Sequence, residues 1–300
     1  MKLLLCGDFD AGEEAQWRLA LAAAAPQARF LSLDEARADP AAVQAALVAN
    51  PPPGSLQGFP GLRLIQSLWA GVDRLLADTS LPSGVPLARM VDPAMNAAMA
   101  ETALWATLAL QRDFFAYARN QRAGVWRTHD QRRAQDLRVL VLGQGQMGTA
   151  AAASLARQGY QTRGWRRDGV ALVPLLATSD VVINLLPLTA ATRGLIDAAF
   201  LSALPFGAGL VNLARGAHVV DADLLAALDS GQLGHAVLDV FHTEPLPSGH
   251  PFWQHPRVTV LPHAAAFTDP RSAAAVAMAN VQAALRGEMP AHLVERGRGY

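Results

Sequence analysis

The sequence predicts an α/β protein in two parts, one a doubly wound parallel sheet and the other a smaller α/β domain. Three observations predict it. The chain has 300 residues, long for one core when domains usually run to roughly 100 to 200 residues. From Leu137 to His263, short apolar runs alternate with helical stretches, the rhythm of parallel strands covered by helices on both faces. A separate, shorter set of strands and helices precedes that region, broken by Pro51-Pro52-Pro53-Gly54.

Taken in order, Lys2 to Cys6 is an apolar strand, and Ala-rich stretches around 13 to 25 and 40 to 49 read as helices. Leu62 to Leu68 reads as a second strand, ending in the turn Trp69-Ala70-Gly71-Val72-Asp73, and Leu87 to Val91 as a third. Together these form a small flavodoxin-like α/β unit. From Asn96 to about Gln121 no proline or glycine interrupts, and Leu104, Leu108 and Phe115 recur at helical spacing. This predicts one long helix, bridging two domains and ended by Ala123-Gly124. A charged loop, Arg127 to Asp136, leads into strands at Arg138–Leu142, Gln161–Trp165, Val181–Leu185, Leu210–Leu213, Ala236–Val240 and Arg257–Leu261. Asp221 is placed to cap a helix over Ala222–Asp229 that Gly231 ends, and a last helix covers Ser272–Arg286. No internal repeat is evident.

Composition narrows the function. The net charge is zero, with 25 basic and 25 acidic side chains, which leaves no electrostatic footprint for nucleic acid or an anionic membrane. The expected partner is a small molecule. The run Leu3-Leu4-Leu5-Cys6 meets Asp8 almost at once, too short for a signal-peptide core, and no apolar stretch reaches the ~18 residues of a membrane span. A soluble, cytoplasmic protein is expected. One cysteine and eight histidines, without CxxC or HExxH spacing, predict no metal site; Cys6 is expected to lie buried in its strand. Lys2 is the only lysine. A P-loop and a pyridoxal Schiff base each need a lysine at the site, so neither can be built.

The turn Gly143-Gln144-Gly145-Gln146-Met147-Gly148 follows an apolar strand and opens a helix expected to begin near Thr149. That context makes it a dinucleotide fingerprint on a Rossmann-type sheet: glycines let the backbone approach a pyrophosphate, and the helix N-terminus offers N–H groups. The next strand ends at Trp165, where NAD-binding sheets place an acidic residue for the ribose. Here Arg166 and Arg167 follow instead. A guanidinium grips a 2′-phosphate with parallel charge-assisted bonds, so NADPH (NADP) is the expected cofactor, with NAD the alternative should these arginines be only a solvated loop.

Arg215, Glu244 and His263 each lie at or just beyond the carboxyl end of a predicted strand, where ligands of open α/β sheets collect. Their separations, 29 residues (244 minus 215) and 19 (263 minus 244), suit successive strand-helix units. Singly each is ordinary. Together they suit reduction of a 2-oxo acid: an arginine for a carboxylate, a histidine to move a proton, and a carboxylate to hold that histidine charged.

With these residues in place, Leu142–Gly148, Ile183-Asn184-Leu185-Leu186-Pro187, Asn212-Leu213-Ala214-Arg215-Gly216, Leu238–Phe241 with Glu244–Pro247, and Leu261-Pro262-His263 resemble the D-isomer-specific 2-hydroxyacid dehydrogenases. Within them the chain looks most like the glyoxylate/hydroxypyruvate reductase A group, down to the terminal Arg298-Gly299-Tyr300. The resemblance implies that Arg215 binds the substrate carboxylate and carbonyl oxygen, His263 donates the proton, and Glu244 orients His263. It implies that the amides of Ala70 and Gly71 hold the substrate carboxylate from the opposite domain. Leu186, Pro187, Ala214 and Asp239 line the cofactor cleft by the same resemblance, with Asp239 facing the nicotinamide amide.

A discontinuous organisation is implied too, residues 1–95 plus 270–300 forming the substrate domain and 96–269 the dinucleotide domain, with closure of the cleft excluding water and the long helix contributing to a homodimer interface. Trp69 stands where relatives commonly carry a small residue, and Ala264-Ala265-Ala266-Phe267 is a variant of the segment after the histidine. Trp69 then either touches substrate or packs within its own domain. Two other readings stay open: another 2-oxo acid as substrate, and a dinucleotide-sensing protein without significant turnover.

Overall fold

A computed structural model of the protein describes residues 1–167 and 169–299; Tyr300, in the terminal tripeptide singled out above, lies outside them. The chain divides into two compact units, Met1–Ala94 with Thr268–Tyr300, and Met95–Phe267.

The first unit opens with β1 (Lys2–Gly7), α1 (Ala11–Ala24), β2 (Arg29–Leu31), α2 (Leu33–Ala38), β3 (Val43–Ala49), β4 (Leu64–Ser67), α3 (Asp73–Ala77) and β5 (Leu87–Ala88). Its five strands run in the order β2-β1-β3-β4-β5, all parallel. Apolar side chains are buried along it, with Leu4 and Cys6 of β1, Ala46 and Val48 of β3 and Ile65 of β4 in one cluster.

Two corrections arise here. Residues 40–49, expected as a helix, form a single 3-10 turn and then β3, which pairs on both sides with β1 and β4. Alanine favours helix by well under 1 kcal/mol per residue, and burial between two strands outweighs that preference. In addition, β2 and α2 occupy a stretch the sequence left unassigned; Ser32 caps α2 by a reciprocal capping box with Glu35.

The second unit begins within α4 (Pro93–Gln111) and continues with α5 (Phe114–Arg122). The expected single helix is therefore two. The break falls at Asp113, whose φ of 54° is left-handed, a conformation that aspartate tolerates better than most side chains and that neither glycine nor proline announces. Gly124, at φ 66°, follows the end of α5. The chain then builds β6 (Arg138–Leu142), α6 (Gln146–Arg157), β7 (Gln161–Trp165), α7 (Leu172–Leu176), β8 (Val181–Asn184), α8 (Ala198–Ser202), β9 (Ala208–Asn212), α9 (Asp221–Ser230), β10 (Leu233–Leu238) and β11 (Val258–Val260).

These six strands run β11-β10-β9-β8-β6-β7, all parallel. Alternate residues feed two separate cores: Leu140, Leu142, Val182 and Leu210 on one face, Val139, Val141, Ile183 and Val211 on the other. The strand order reverses beside β6, so the crevice for a ligand opens at the carboxyl end of β6. Asp221 does not cap α9; it is the helix's first residue, its carboxylate near His242 (3.6 Å) and His250 (3.5 Å), while Gly231 at φ 82° ends the helix as expected. The chain returns to the first unit in α10 (Pro270–Arg286), whose buried Asn280 donates to Gln66 Oε1 of β4 at 2.8 Å. Among the described residues no helix is long and apolar enough to cross a membrane.

Candidate active site

The glycine turn sits at the carboxyl end of β6, and its three glycines are required for different reasons. Gly143 has φ +95°, and a Cβ there would lie 2.5 Å from the Leu185 carbonyl oxygen. At Gly148 a Cβ would lie 1.9 Å from the Gly143 carbonyl oxygen, so this position lets α6 close onto the strand. Gly145 differs, because a Cβ there meets nothing within 4 Å. No protein packing demands a glycine there, and the open space is where a ligand would approach the backbone. The helix starts at Gln146, three residues earlier than expected, with Gly145 as its N-cap and no side chain bonded to it. Gln146, Met147 and Gly148 therefore present first-turn N–H groups that the helix itself cannot use.

The turn is tied to the next strand: Gly143 N–H donates to the Trp165 carbonyl at 2.9 Å. That carbonyl belongs to the peptide leading into Arg166, so Arg166 and Arg167, both exposed, leave β7 beside the glycine turn. This set of residues fits a dinucleotide: a cradle with one position kept open, free N–H groups, and cations one strand away.

His263 and Glu244 meet directly. His263 Nδ1 lies 2.7 Å from Glu244 Oε2, and Glu244 Oε1 accepts the Phe241 N–H at 2.8 Å. The bond to Glu244 holds the imidazole's pKa above its usual value, against the opposing effect of burial. Burial pushes the Glu244 carboxyl up, but the hydrogen bonds from His263 and the Phe241 N–H outweigh it, and the group titrates below the usual glutamate range. The Arg215 charge acts on both. Arg215 follows β9, its guanidinium folded back so that one nitrogen donates to the Ala214 carbonyl at 2.7 Å. Gly216, next in the chain, has no room for a side chain: a Cβ would lie 2.0 Å from the Phe241 carbonyl carbon. That contact brings the loop carrying Arg215 against the loop carrying Glu244.

Asp239 organises the histidine's loop. Its carbonyl accepts the His263 N–H at 2.9 Å, and its carboxylate oxygens accept the Ala264 and Ala265 N–H groups at 2.7 and 3.0 Å. Burial raises its pKa, opposed by those two amides. The backbone at His263 is thereby held at φ 55°, in the left-handed region. Leu186 and Ala214 are buried at the ends of neighbouring strands, with Pro187 partly exposed beside them.

In the first unit, the turn after β4 carries Trp69, Ala70 and Gly71. Trp69 packs edge-on against Trp17 (6.2 Å between ring centroids) and Phe9 (6.5 Å), so its indole belongs to an aromatic cluster of its own unit. Its carbonyl accepts the Met90 N–H, while no acceptor takes the amides of Ala70 and Gly71 among the described residues. No group of three metal-ligating side chains occurs among the described residues.

Sequence reasoning assigned no role to Asn184, Asn212 or His218, all three fully buried beside the site. The available signal was an asparagine at the end of each of two adjacent apolar strands, where an unpartnered amide would be costly.

Residues 104–265 match the family model described as D-isomer specific 2-hydroxyacid dehydrogenase, NAD binding domain. The chain is 38% identical to a glyoxylate/hydroxypyruvate reductase A from Serratia proteamaculans, covering 100% of both chains. Its fold superposes with a TM-score of 0.93 on a D-isomer specific 2-hydroxyacid dehydrogenase from Xanthobacter autotrophicus Py2 solved with NADPH, at 41% identity over 100% of this chain and 99% of that one. A Sinorhizobium meliloti NADPH-dependent glyoxylate/hydroxypyruvate reductase, solved with NADP and sulfate, gives a TM-score of 0.91 at 32% identity, with 100% and 99% covered. With full-length similarity of this kind around a His263–Glu244 pair and a glycine turn, the chain belongs to the D-isomer specific 2-hydroxyacid dehydrogenases.

Proposed function

We propose that this protein reduces a short 2-oxo acid of the glyoxylate or hydroxypyruvate type to the D-2-hydroxy acid, using NADPH. The observation that carries the reading is the 2.7 Å His263–Glu244 bond under the charge of Arg215, at the carboxyl ends of a sheet that also bears the glycine turn. The nicotinamide, when bound, supplies a hydride to the carbonyl carbon. His263, kept protonated by Glu244, donates its Nε2 proton to the carbonyl oxygen. Arg215, unfolded from the Ala214 carbonyl, pairs with the carboxylate and draws charge toward that oxygen. On the first unit, the amides of Ala70 and Gly71, which no acceptor takes among the described residues, suit a carboxylate, on a turn that Trp69 braces through Trp17 and Phe9.

For the cofactor, the amides from Gln146 to Gly148 suit the pyrophosphate, and Arg166 and Arg167 the 2′-phosphate. Leu186, Pro187 and Ala214 line its cleft, and Asp239 keeps a second lone pair on each carboxylate oxygen for the nicotinamide amide. The names and bound nucleotides of the relatives support the same assignment. We also infer a homodimer: α4 leaves Trp105 and Leu108 42% and 40% exposed on its surface, apolar area suited to a second copy.

The deciding experiment is steady-state oxidation of NADPH and NADH with glyoxylate, hydroxypyruvate and a series of longer 2-oxo acids. The proposal expects the highest kcat/KM with NADPH and the two short acids. A maximum with a longer acid would reassign the substrate, and nucleotide binding without turnover on any acid would make the protein a sensor.

A further inference from the structure

Three buried polar side chains lie behind the proposed substrate arginine. Asn184 and Asn212 end the adjacent strands β8 and β9, with no exposed surface. Asn184 Nδ2 donates to Asn212 Oδ1 at 3.0 Å, Asn184 Oδ1 accepts the Leu186 N–H at 3.2 Å, and Asn212 Oδ1 accepts the Ala214 N–H at 3.3 Å. Asn212 Nδ2 donates to the Arg215 carbonyl at 3.0 Å. His218, also fully buried, places Nδ1 3.1 Å from that same carbonyl and Nε2 3.3 Å from the Pro187 carbonyl.

Two of these side chains, Asn212 and His218, act on Arg215 directly. Its carbonyl receives the Asn212 amide, the His218 ring and, at 3.3 Å, the His218 backbone N–H. A carbonyl gripped in this way cannot rotate about ψ, which stands at 144°, so the Cα–Cβ direction of Arg215 is set relative to β9. The other side of the ring faces the loop that carries Leu186 and Pro187. Both carbonyls can only accept, so each contact needs an N–H on the ring, and the shorter of the two is to Arg215.

We propose that His218 is a positioning residue for Arg215: its Nδ1–H, with the Asn212 amide, locks the Arg215 peptide and so fixes the point from which the guanidinium reaches the substrate carboxylate. This rests on the proposed role of Arg215. A histidine that merely fills a buried space would be replaced equally well by an amide at either nitrogen's position.

Two variants make that distinction. His218→Asn keeps an N–H at the position of Nδ1, toward Arg215, and His218→Gln keeps one at the position of Nε2, toward Pro187. The expected result is a KM for the 2-oxo acid raised about tenfold or more in His218→Gln, with NADPH affinity within about twofold of wild type, and a KM near the wild-type value in His218→Asn. Equal KM values in the two variants, or a His218→Gln protein that loses NADPH affinity alone, would overturn the proposal. Should either variant fail to fold, ring-15N NMR of the wild-type protein decides: His218 protonated on Nδ1 is expected, and a ring with a bare Nδ1 refutes the clamp. Arg215→Ala is measured alongside. If it retains the wild-type KM, the reading of Arg215 fails, whereas the ring tautomer still reports on the clamp by itself.

Discussion

As the proposed proton donor, His263 must meet two demands on one side chain, a proton to give and a fixed direction to give it in. The Glu244 bond serves both, since it raises the imidazole's pKa and occupies Nδ1, leaving Nε2 for substrate. A histidine pKa raised in this way keeps the proton donor present at low pH and loses it as pH rises through the raised value. Reduction should therefore decline on the alkaline side, and Glu244→Gln should move that decline to lower pH. A pH profile of kcat/KM for the acid checks it; an unmoved alkaline limb would detach Glu244 from the proton transfer. His263→Ala should lose roughly a hundredfold to ten-thousandfold in kcat, the usual contribution of general acid catalysis, with NADPH binding by fluorescence titration nearly intact. At Arg166 and Arg167, joint replacement by serine should weaken NADPH at least tenfold, about 1.4 kcal/mol, and leave NADH affinity nearly unchanged. Equal losses for both nucleotides would remove the 2′-phosphate contact. These residues were legible in the sequence because each is a reactive or charged type at a strand end. Asn184, Asn212 and His218 were not, since the contacts that join them across the sheet, Asn184 to Asn212 and His218 to Pro187, link residues 28 and 31 apart in sequence.

At the scale of elements, the glycine turn separates a folding requirement from a binding requirement. Gly148 is closed in by the Gly143 carbonyl, whereas Gly145 faces open space. Gly148→Ala should overpack the contact between β6 and α6, costing about 1–3 kcal/mol, and lower both Tm and NADPH affinity. Gly145→Ala should leave Tm nearly unchanged yet weaken NADPH tenfold or more, because the new methyl stands only where the pyrophosphate comes. Differential scanning calorimetry with and without NADPH reads both. Full NADPH affinity in Gly145→Ala would place the nucleotide elsewhere. The strands of the second sheet were readable because parallel strands buried on both faces are continuous apolar runs. The same rule failed at β3, where alanines replaced larger aliphatics, and at Asp113, where a left-handed residue divides the helix without a breaker.

For the whole molecule, the division into Met1–Ala94 with Thr268–Tyr300 and Met95–Phe267 gives each unit its own sheet and core. On the second unit, exposed Trp105 and Leu108 lead to a concrete expectation: Trp105→Glu with Leu108→Glu should convert a dimer to a monomer in light scattering. A wild-type protein that is already monomeric at micromolar concentration would dismiss the dimer. The sequence alone determined the sheet of the second unit and the glycine turn, and made Arg215, Glu244 and His263 the candidates for the site, because local periodicity and strand-end chemistry are written in neighbouring residues. Only the tertiary structure decided that residues 43–49 are a central strand, that Asp239 holds the loop of His263, and that Asn212 and His218 meet at the carbonyl of Arg215. Those outcomes depend on which strands lie side by side, and strand order is fixed by burial and pairing across the chain rather than by any local stretch of it.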